Sequence, residues 1–276
     1  MAGKYSLYKT IKADFKLALK GPLLFCTLGV TLGFCFDNWQ DLQNFFITPL
    51  MSGTESGISV LYFFFNSFSF GGVFSGYFST IMAAVPFSAN YCHEVDGGIS
   101  IYKIARCGRP CYVRSKFLVA SVLGGLTLSI GGLIFILVLA SYLPLTTPDQ
   151  VFELSWLPFS GLLTDGKELL YFASVLYISF LGGALWASIG LCASAFIPNA
   201  YVAICSPFIC RFILVQIGRM LRLPYEFRLD LLLEARVTAY SDSITLLMIT
   251  SAVLVLIFLC GYLFSKRVER RIISVE

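Results

Sequence analysis

The chain predicts an all-α, polytopic membrane protein with six transmembrane helices, an amino-terminal interfacial amphipathic helix, and short re-entrant outer helices between helices 5 and 6. Three observations predict this. The 276 residues are 57% hydrophobic and 13% charged, with a mean hydropathy of +0.80, which is too apolar for a soluble domain built around one core. Apolar runs recur along the chain, and a bilayer core asks for about 20 residues of helix. The charges alternate in sign between those runs. Fourteen of the 20 Lys and Arg lie in segments assigned to the inner side: five ahead of the first run, five between the second and third, and four after the sixth. Eleven of the 16 acidic residues lie in the segments assigned outside. Inner loops collect Lys and Arg, so this order predicts both termini in the cytoplasm and a plasma-membrane location.

Residues 4–20 form the interfacial helix. Leu7, Tyr8, Ile11, Phe15, Ala18 and Leu19 take one side, and Lys9, Lys12, Lys16 and Lys20 the other, the pattern of a helix lying on the inner leaflet. A basic flank that only orients the first span is the alternative. Asp14, the long polar lead and the lack of a small-residue cleavage site after Phe36 predict that the segment is retained.

The first span covers residues 22–36, opened by Pro22, and Asp37, Asp41 and Glu55 mark the outer segment after it. The second, 58–89, is longer than the hydrocarbon requires and is expected to tilt. Residues 90–116 form the basic inner loop, with Lys103, Arg106, Arg109, Arg114 and Lys116 against Glu94 and Asp96. The third span is 117–143, followed by a second outer segment to Glu168. The fourth, 169–197, turns at Pro198-Asn199 into the fifth, 201–221. Residues 222–243 must lie outside yet carry Arg222, Arg228 and Arg236, balanced by Glu226, Asp230, Glu234 and Asp242. Leu229, Leu231, Leu232 and Leu233 predict one or two short helices here that dip back into the membrane, where protein or water must satisfy the backbone. The sixth span is 244–264, ahead of Lys266, Arg267, Arg270 and Arg271. All 276 residues form a single transmembrane domain without an internal repeat.

Little in this chain suggests chemistry. His93-Glu94 begins like a zinc-protease motif, but position 97 is Gly97 and the chain has 1 His, so the second ligand is missing. Cys92, His93, Cys107 and Cys111 match no familiar zinc spacing, and no metal site is assigned. The nine cysteines sit in apolar runs or in the basic loop, which does not indicate a disulfide framework. No Gly-x-x-x-x-Gly-Lys-Ser/Thr loop is present to cradle phosphate, and nothing indicates nucleic-acid binding. Glu94 reads as an organising salt bridge or helix cap rather than a catalyst. Arg211, about mid-way along the fifth span, costs roughly 2.5–3.5 kcal/mol there unless it faces the bundle or water. It is either a path or gating residue, or an Arg that bonds helix-end carbonyls or snorkels.

Glu94 and Gly98 after the second span, then Arg109, Tyr112, Ser115 and Lys116 leading into the third, together with the amphipathic first helix and six spans, resemble the permeases of type-2 ABC exporters. The stretch from Tyr91 to Lys116 is most similar to Firmicutes members, some of which belong to peptide-antibiotic export or immunity systems. The resemblance covers the whole chain by layout, but about 25 residues by sequence. It implies two separate ATPase subunits that carry ATP and Mg, so the chain itself is not an enzyme and holds no cofactor. It implies a second permease copy or relative beside it in the lipid. It implies that the short helix after the second span docks on the ATPase, with Glu94, Gly98, Ile99, Ile101, Tyr102 and Ile104 as the coupling residues. The substrate path then lies along the second and fifth spans, with Asn66, Ser69, Arg211 and Gln216 as candidates and a peptide, lipid or other amphipathic molecule as cargo. The competing classes are a stand-alone carrier or channel, which should bury ionisable pairs within its spans, a membrane anchor for a complex, and a lipid-modifying enzyme.

Overall fold

The computed structural model describes residues 7–19, 21–47, 58–68, 72–237 and 241–275. Its described elements are helical, in the order α1 (Leu7–Leu19), α2 (Pro22–Asp37), α3 (Trp39–Ile47), α4 (Val60–Phe68), a π-turn at Phe74–Phe78, and α5 (Ser79–Ala84). They continue as α6 (Asn90–Asp96), α7 (Ile99–Cys107), α8 (Arg109–Ala140), α9 (Pro148–Glu153), α10 (Ser160–Thr164) and α11 (Glu168–Phe196). The last are α12 (Ala200–Met220), a 3-10 turn at Tyr225–Phe227, α13 (Leu229–Leu233) and α14 (Asp242–Val275).

Among the described residues, four helices are long and apolar enough to cross a membrane: α8, α11, α12 and α14. The pair α1–α2, bent by 51°, would make a fifth. At 16 residues α2 is only about 24 Å long, short of a roughly 30 Å hydrocarbon core. The stretch expected as the second span is a broken element: α4, then the π-turn and α5, with 69–71 outside the described residues. α5 stops at Ala84 because Pro86 cannot donate to the helix ladder.

The basic segment 90–116 is mostly helix rather than loop. Gly98 (φ 67) and Gly108 (φ 85) take left-handed conformations that separate α6, α7 and α8. Arg109-Pro110 then opens α8 with proline at its favoured first-turn position, so Arg109 to Lys116 become its first two turns. α14 likewise runs on past Phe264 as helix. Arg271 donates to the Phe196 carbonyl at 2.8 Å, and Arg267 stacks 5.5 Å from the Phe196 ring.

α8 and α11 form the centre. A Cβ on Gly183 would sit 2.3 Å from the Gly124 carbonyl oxygen, so the two helices touch backbone to backbone, as small residues allow where lipid removes the hydrophobic drive. Ser121 and Ser188 bond across the same contact at 2.8 Å. α12 restarts after Pro198 with Asn199 Oδ1 accepting from the Tyr201 amide at 2.8 Å. Pro207, buried inside α12, frees the Ala203 carbonyl, and Gly190 of α11 packs against that carbonyl.

Two apolar clusters divide the bundle end from end. One joins the start of α8 (Tyr112, Val119), the end of α11 (Leu191, Ala195), the end of α14 (Phe264, Val268) and Ala18 of α1. The other joins the end of α8 (Phe135, Leu139), the start of α11 (Tyr171, Phe172) and the start of α14 (Ile249, Val253). The long helices are therefore antiparallel to their neighbours in sequence. α13 follows the leucine pattern: Leu232 and Leu233 are buried in the second cluster.

Candidate functional site

At the end of the bundle where α6, α7 and the start of α8 meet, four charged side chains close into one knot. Lys116 is completely buried. Its Nζ donates to Glu94 Oε1 at 2.6 Å and to Asp14 Oδ1 at 3.0 Å. Lys103 Nζ, from α7, reaches the same Glu94 oxygen at 2.5 Å and lies 3.5 Å from Asp14. The Tyr112 hydroxyl donates to Glu94 Oε2 at 2.8 Å, and the Ser115 hydroxyl to Asp14 Oδ2 at 3.0 Å. Phe87 lies under the ammonium of Lys116, its centroid 4.9 Å away. Two carboxylates thus meet two ammonium groups, and the second oxygen of each carboxylate accepts a hydroxyl, the condition under which charge is tolerated in a low-dielectric interior.

The knot joins four elements: Asp14 is on α1, Glu94 on α6, Lys103 on α7, and Tyr112, Ser115 and Lys116 on α8. Burial alone would lower the Lys103 pKa, but the bond to Glu94 and the charges of Glu94 and Asp14 outweigh it, and the pKa is raised. Burial pushes the Cys107 thiol up, which leaves it a weak nucleophile.

Tied down at Lys103 and Ile104, α7 turns its other side outward. Ile99, Ile101 and Tyr102 are 48%, 62% and 72% exposed, and Arg106 is exposed beside them. Ile104 packs inward against the cluster that holds Tyr112 and Phe264. α7 has no fully buried residue, so it is held by the ion knot and the two glycine corners rather than by a core of its own.

The sequence-picked residues are distributed as follows. Glu94 lies inside the knot, not on the exposed face, and Gly98 forms the corner before α7. Lys9, Lys12 and Lys16 are exposed along α1, while Lys20 lies outside the described residues. α1 packs on the bundle through Asp14 and Ala18, leaving Tyr8 and Leu19 exposed beside the lysines. The candidate path residues do not converge. Asn66 Nδ2 bonds Asn38 Oδ1 at 3.2 Å and Asp41 Oδ2 at 3.3 Å, Gln216 is exposed, and Ser69 lies outside the described residues. Arg211 is buried and ion-paired with Glu234, the residue that follows α13.

Asp14, Lys103 and Lys116 went unrecognised as partners in the sequence. A signal was present: Asp14 stands at helical spacing from Leu7, Ile11 and Ala18 on the apolar side of α1, where a lone carboxylate needs a buried cation. Among the described residues no group of three or more His, Cys, Asp or Glu side chains could hold a metal ion. Set against protein-family models, curated proteins and solved structures, the chain matches none of them.

Proposed function

We propose that this chain is the membrane permease subunit of an ATP-binding cassette exporter, with six spans, both termini cytoplasmic, and α7 as the contact through which separate ATPase subunits move it. The observation that carries the reading is the apolar outer face of α7, made by Ile99, Ile101 and Tyr102, on a helix braced by the buried Asp14–Glu94–Lys103–Lys116 knot. An exposed apolar patch on a short helix that cannot span lipid fits a partner's groove. A brace to α1 and α8 is what turns a partner's closure into displacement of helices, since a partner shifts an equilibrium only through contacts that differ between two states. A second permease copy would complete the path, with a peptide, lipid or other amphipathic cargo. On this reading the broken stretch of α4, the π-turn and α5 is the second span, and α1–α2 supplies the first.

The test is recovery of the tagged chain from its host membrane. A phosphate-loop ATPase is expected to come with it. Ile101→Asp, which sits on the exposed side of α7, is expected to abolish that recovery with insertion intact, as is Gly98→Pro, whose ring cannot adopt the φ of 67° found there. Recovery of the ATPase at normal yield with Ile101→Asp rules out this docking face.

The buried Arg211–Glu234 pair favours one second reading, a stand-alone carrier, because such proteins place ionisable pairs within their spans. Transport by the purified chain alone in vesicles, without nucleotide, would decide for it.

A further inference from the structure

Seven of the nine cysteines sit inside apolar helices or, like Cys92, are buried. Cys107 and Cys111 are placed otherwise. Cys107 ends α7 and Cys111 lies in the first turn of α8, on either side of the Gly108 corner. Lys103, Arg106, Arg109 and Arg114 surround them in sequence, a density of charge that hydrocarbon does not accept, so dissolved reagents reach this corner. Both cysteines are free and half-buried.

The corner turns the two thiols toward each other. They stand within hydrogen-bonding reach, and Thr10 of α1 lies against both, its hydroxyl oxygen 3.9 Å from the Cys111 sulfur. The Cys107 thiol also donates to the Lys103 carbonyl one turn back, at 3.0 Å. Gly108 takes φ 85°, and a Cβ there would meet nothing within 4 Å. The backbone between the two cysteines is therefore unpacked on that side, with room to tighten. A disulfide needs sulfurs about 2 Å apart, so a side-chain rotation and a small closing at Gly108 turn the contact into a bond.

We propose that Cys107 and Cys111 form a reversible modification site, a dithiol that low-molecular-weight disulfides oxidise to an intramolecular bridge locking α7 to α8. The Cys111 thiolate attacks one sulfur of the reagent; that S–S bond breaks, and the first thiolate leaves with the electron pair. Cys107 then attacks the Cys111 sulfur of the mixed disulfide, and the second thiolate leaves. The two cysteines give up two protons and two electrons, which the reagent takes up as two thiols. Burial raises the Cys107 pKa, which suits it to the second step. There the target is held beside it, so little thiolate is needed, and a more basic thiolate attacks harder. In a reducing compartment such a bridge is transient and regulatory rather than structural. It spans the corner that aims the exposed Ile101 and Tyr102, so oxidation fixes the direction of that face. The site rests on α7 lying outside the lipid, and not on the transport reading.

The experiment uses the full-length chain in detergent, equilibrated with mixtures of reduced and oxidised glutathione, quenched in acid and alkylated with iodoacetamide. Trypsin cuts after Arg106 and Arg114 but spares Arg109-Pro110, so residues 107–114 leave as one peptide holding both cysteines. Oxidation is expected to convert that peptide from its doubly alkylated form to an unalkylated form lighter by two hydrogens. The conversion should reverse, and should follow the square of the reduced glutathione concentration divided by the oxidised. Hydrogen exchange of residues 104–107 is expected to slow about tenfold in the bridged chain, the modest gain from closing a short loop, and dithiothreitol should restore it. Cys111→Ser, a near-isosteric change at a half-buried position, is expected to lose both responses. The first arm needs no variant, and Cys107→Ser repeats the second from the other side of the corner. Glutathione retained on the peptide at equilibrium, a cross-link to another peptide, or two alkylated thiols in the most oxidising mixture overturns the proposal. So does a bridge that leaves exchange of residues 104–107 unchanged.

Discussion

Lys116 has no solvent exposure and sits between Asp14, 102 positions back, and Glu94, 22 back. Removing one member of a buried, bonded charge set leaves its partners desolvated and uncompensated, at about 3–5 kcal/mol. Lys116→Met is accordingly expected to cost about that much in thermal unfolding of the purified chain. Asp14→Asn in the same chain should recover part of the loss, because Lys103 then faces one carboxylate rather than two; a double-mutant cycle checks it. Additive costs would mean that the two residues do not interact. Lys116 and Tyr112 were legible only as members of the phrase that resembles a permease loop. Their partner Asp14 was not, because helical period shows which face a residue takes but not what meets it there.

At the level of elements, the α8–α11 contact and the elbow formed by α6 and α7 answer to different rules. A side chain at Gly183 would meet the Gly124 carbonyl oxygen at 2.3 Å, backbone that cannot rotate away. Gly183→Val should therefore force the helices apart, at the upper end of the roughly 1–3 kcal/mol typical of overpacking. Gly161→Ala on α10, where the nearest atom is Asp242 Oδ2 at 3.9 Å, should leave the thermal midpoint in place. The elbow also has a pH signature. The Lys103 pKa is raised above the ordinary 10.5 by Glu94 and Asp14, against the opposing effect of burial. A raised folded-state pKa contributes stability that is complete below the unfolded value and lost as pH climbs through the folded one. Protection of α7 amides against hydrogen exchange, corrected for intrinsic rates, should be flat from neutral to about pH 9 and fall above 10.5. Lys103→Met should abolish that alkaline loss. The left-handed backbone at Gly98 and Gly108, which the hydropathy pattern does not show, sets a corner at either end of α7.

For the whole molecule, the proposed topology makes a prediction about sides. Reporter fusions at the C-terminal end and within 99–107 should register on one side of the membrane, and insertions in 148–164 and 222–237 on the other. A split between the first two would remove the elbow from reach of any partner that works at the C-terminal face. Much of the helical layout was legible. The helices expected at 169–197 and 201–221 appear as Glu168–Phe196 and Ala200–Met220, and the leucine run at 229–233 does form a helix packed into the bundle. The stretch 58–89 reads in the sequence as one continuous helix, because its apolar content says nothing about the π-turn at Phe74–Phe78 or the stop before Pro86.

Hydropathy and the order of charges were enough to place the long apolar helices and sort the loops by sign, because transfer into lipid is close to a sum over residues taken one at a time. Neither could say which polar groups meet. The Asp14–Lys116 and Arg211–Glu234 pairs exist only once helices far apart in the chain have packed side by side. A buried charge or donor is defined by its neighbours in space, and those neighbours are set by how the helices return past one another rather than by any local pattern.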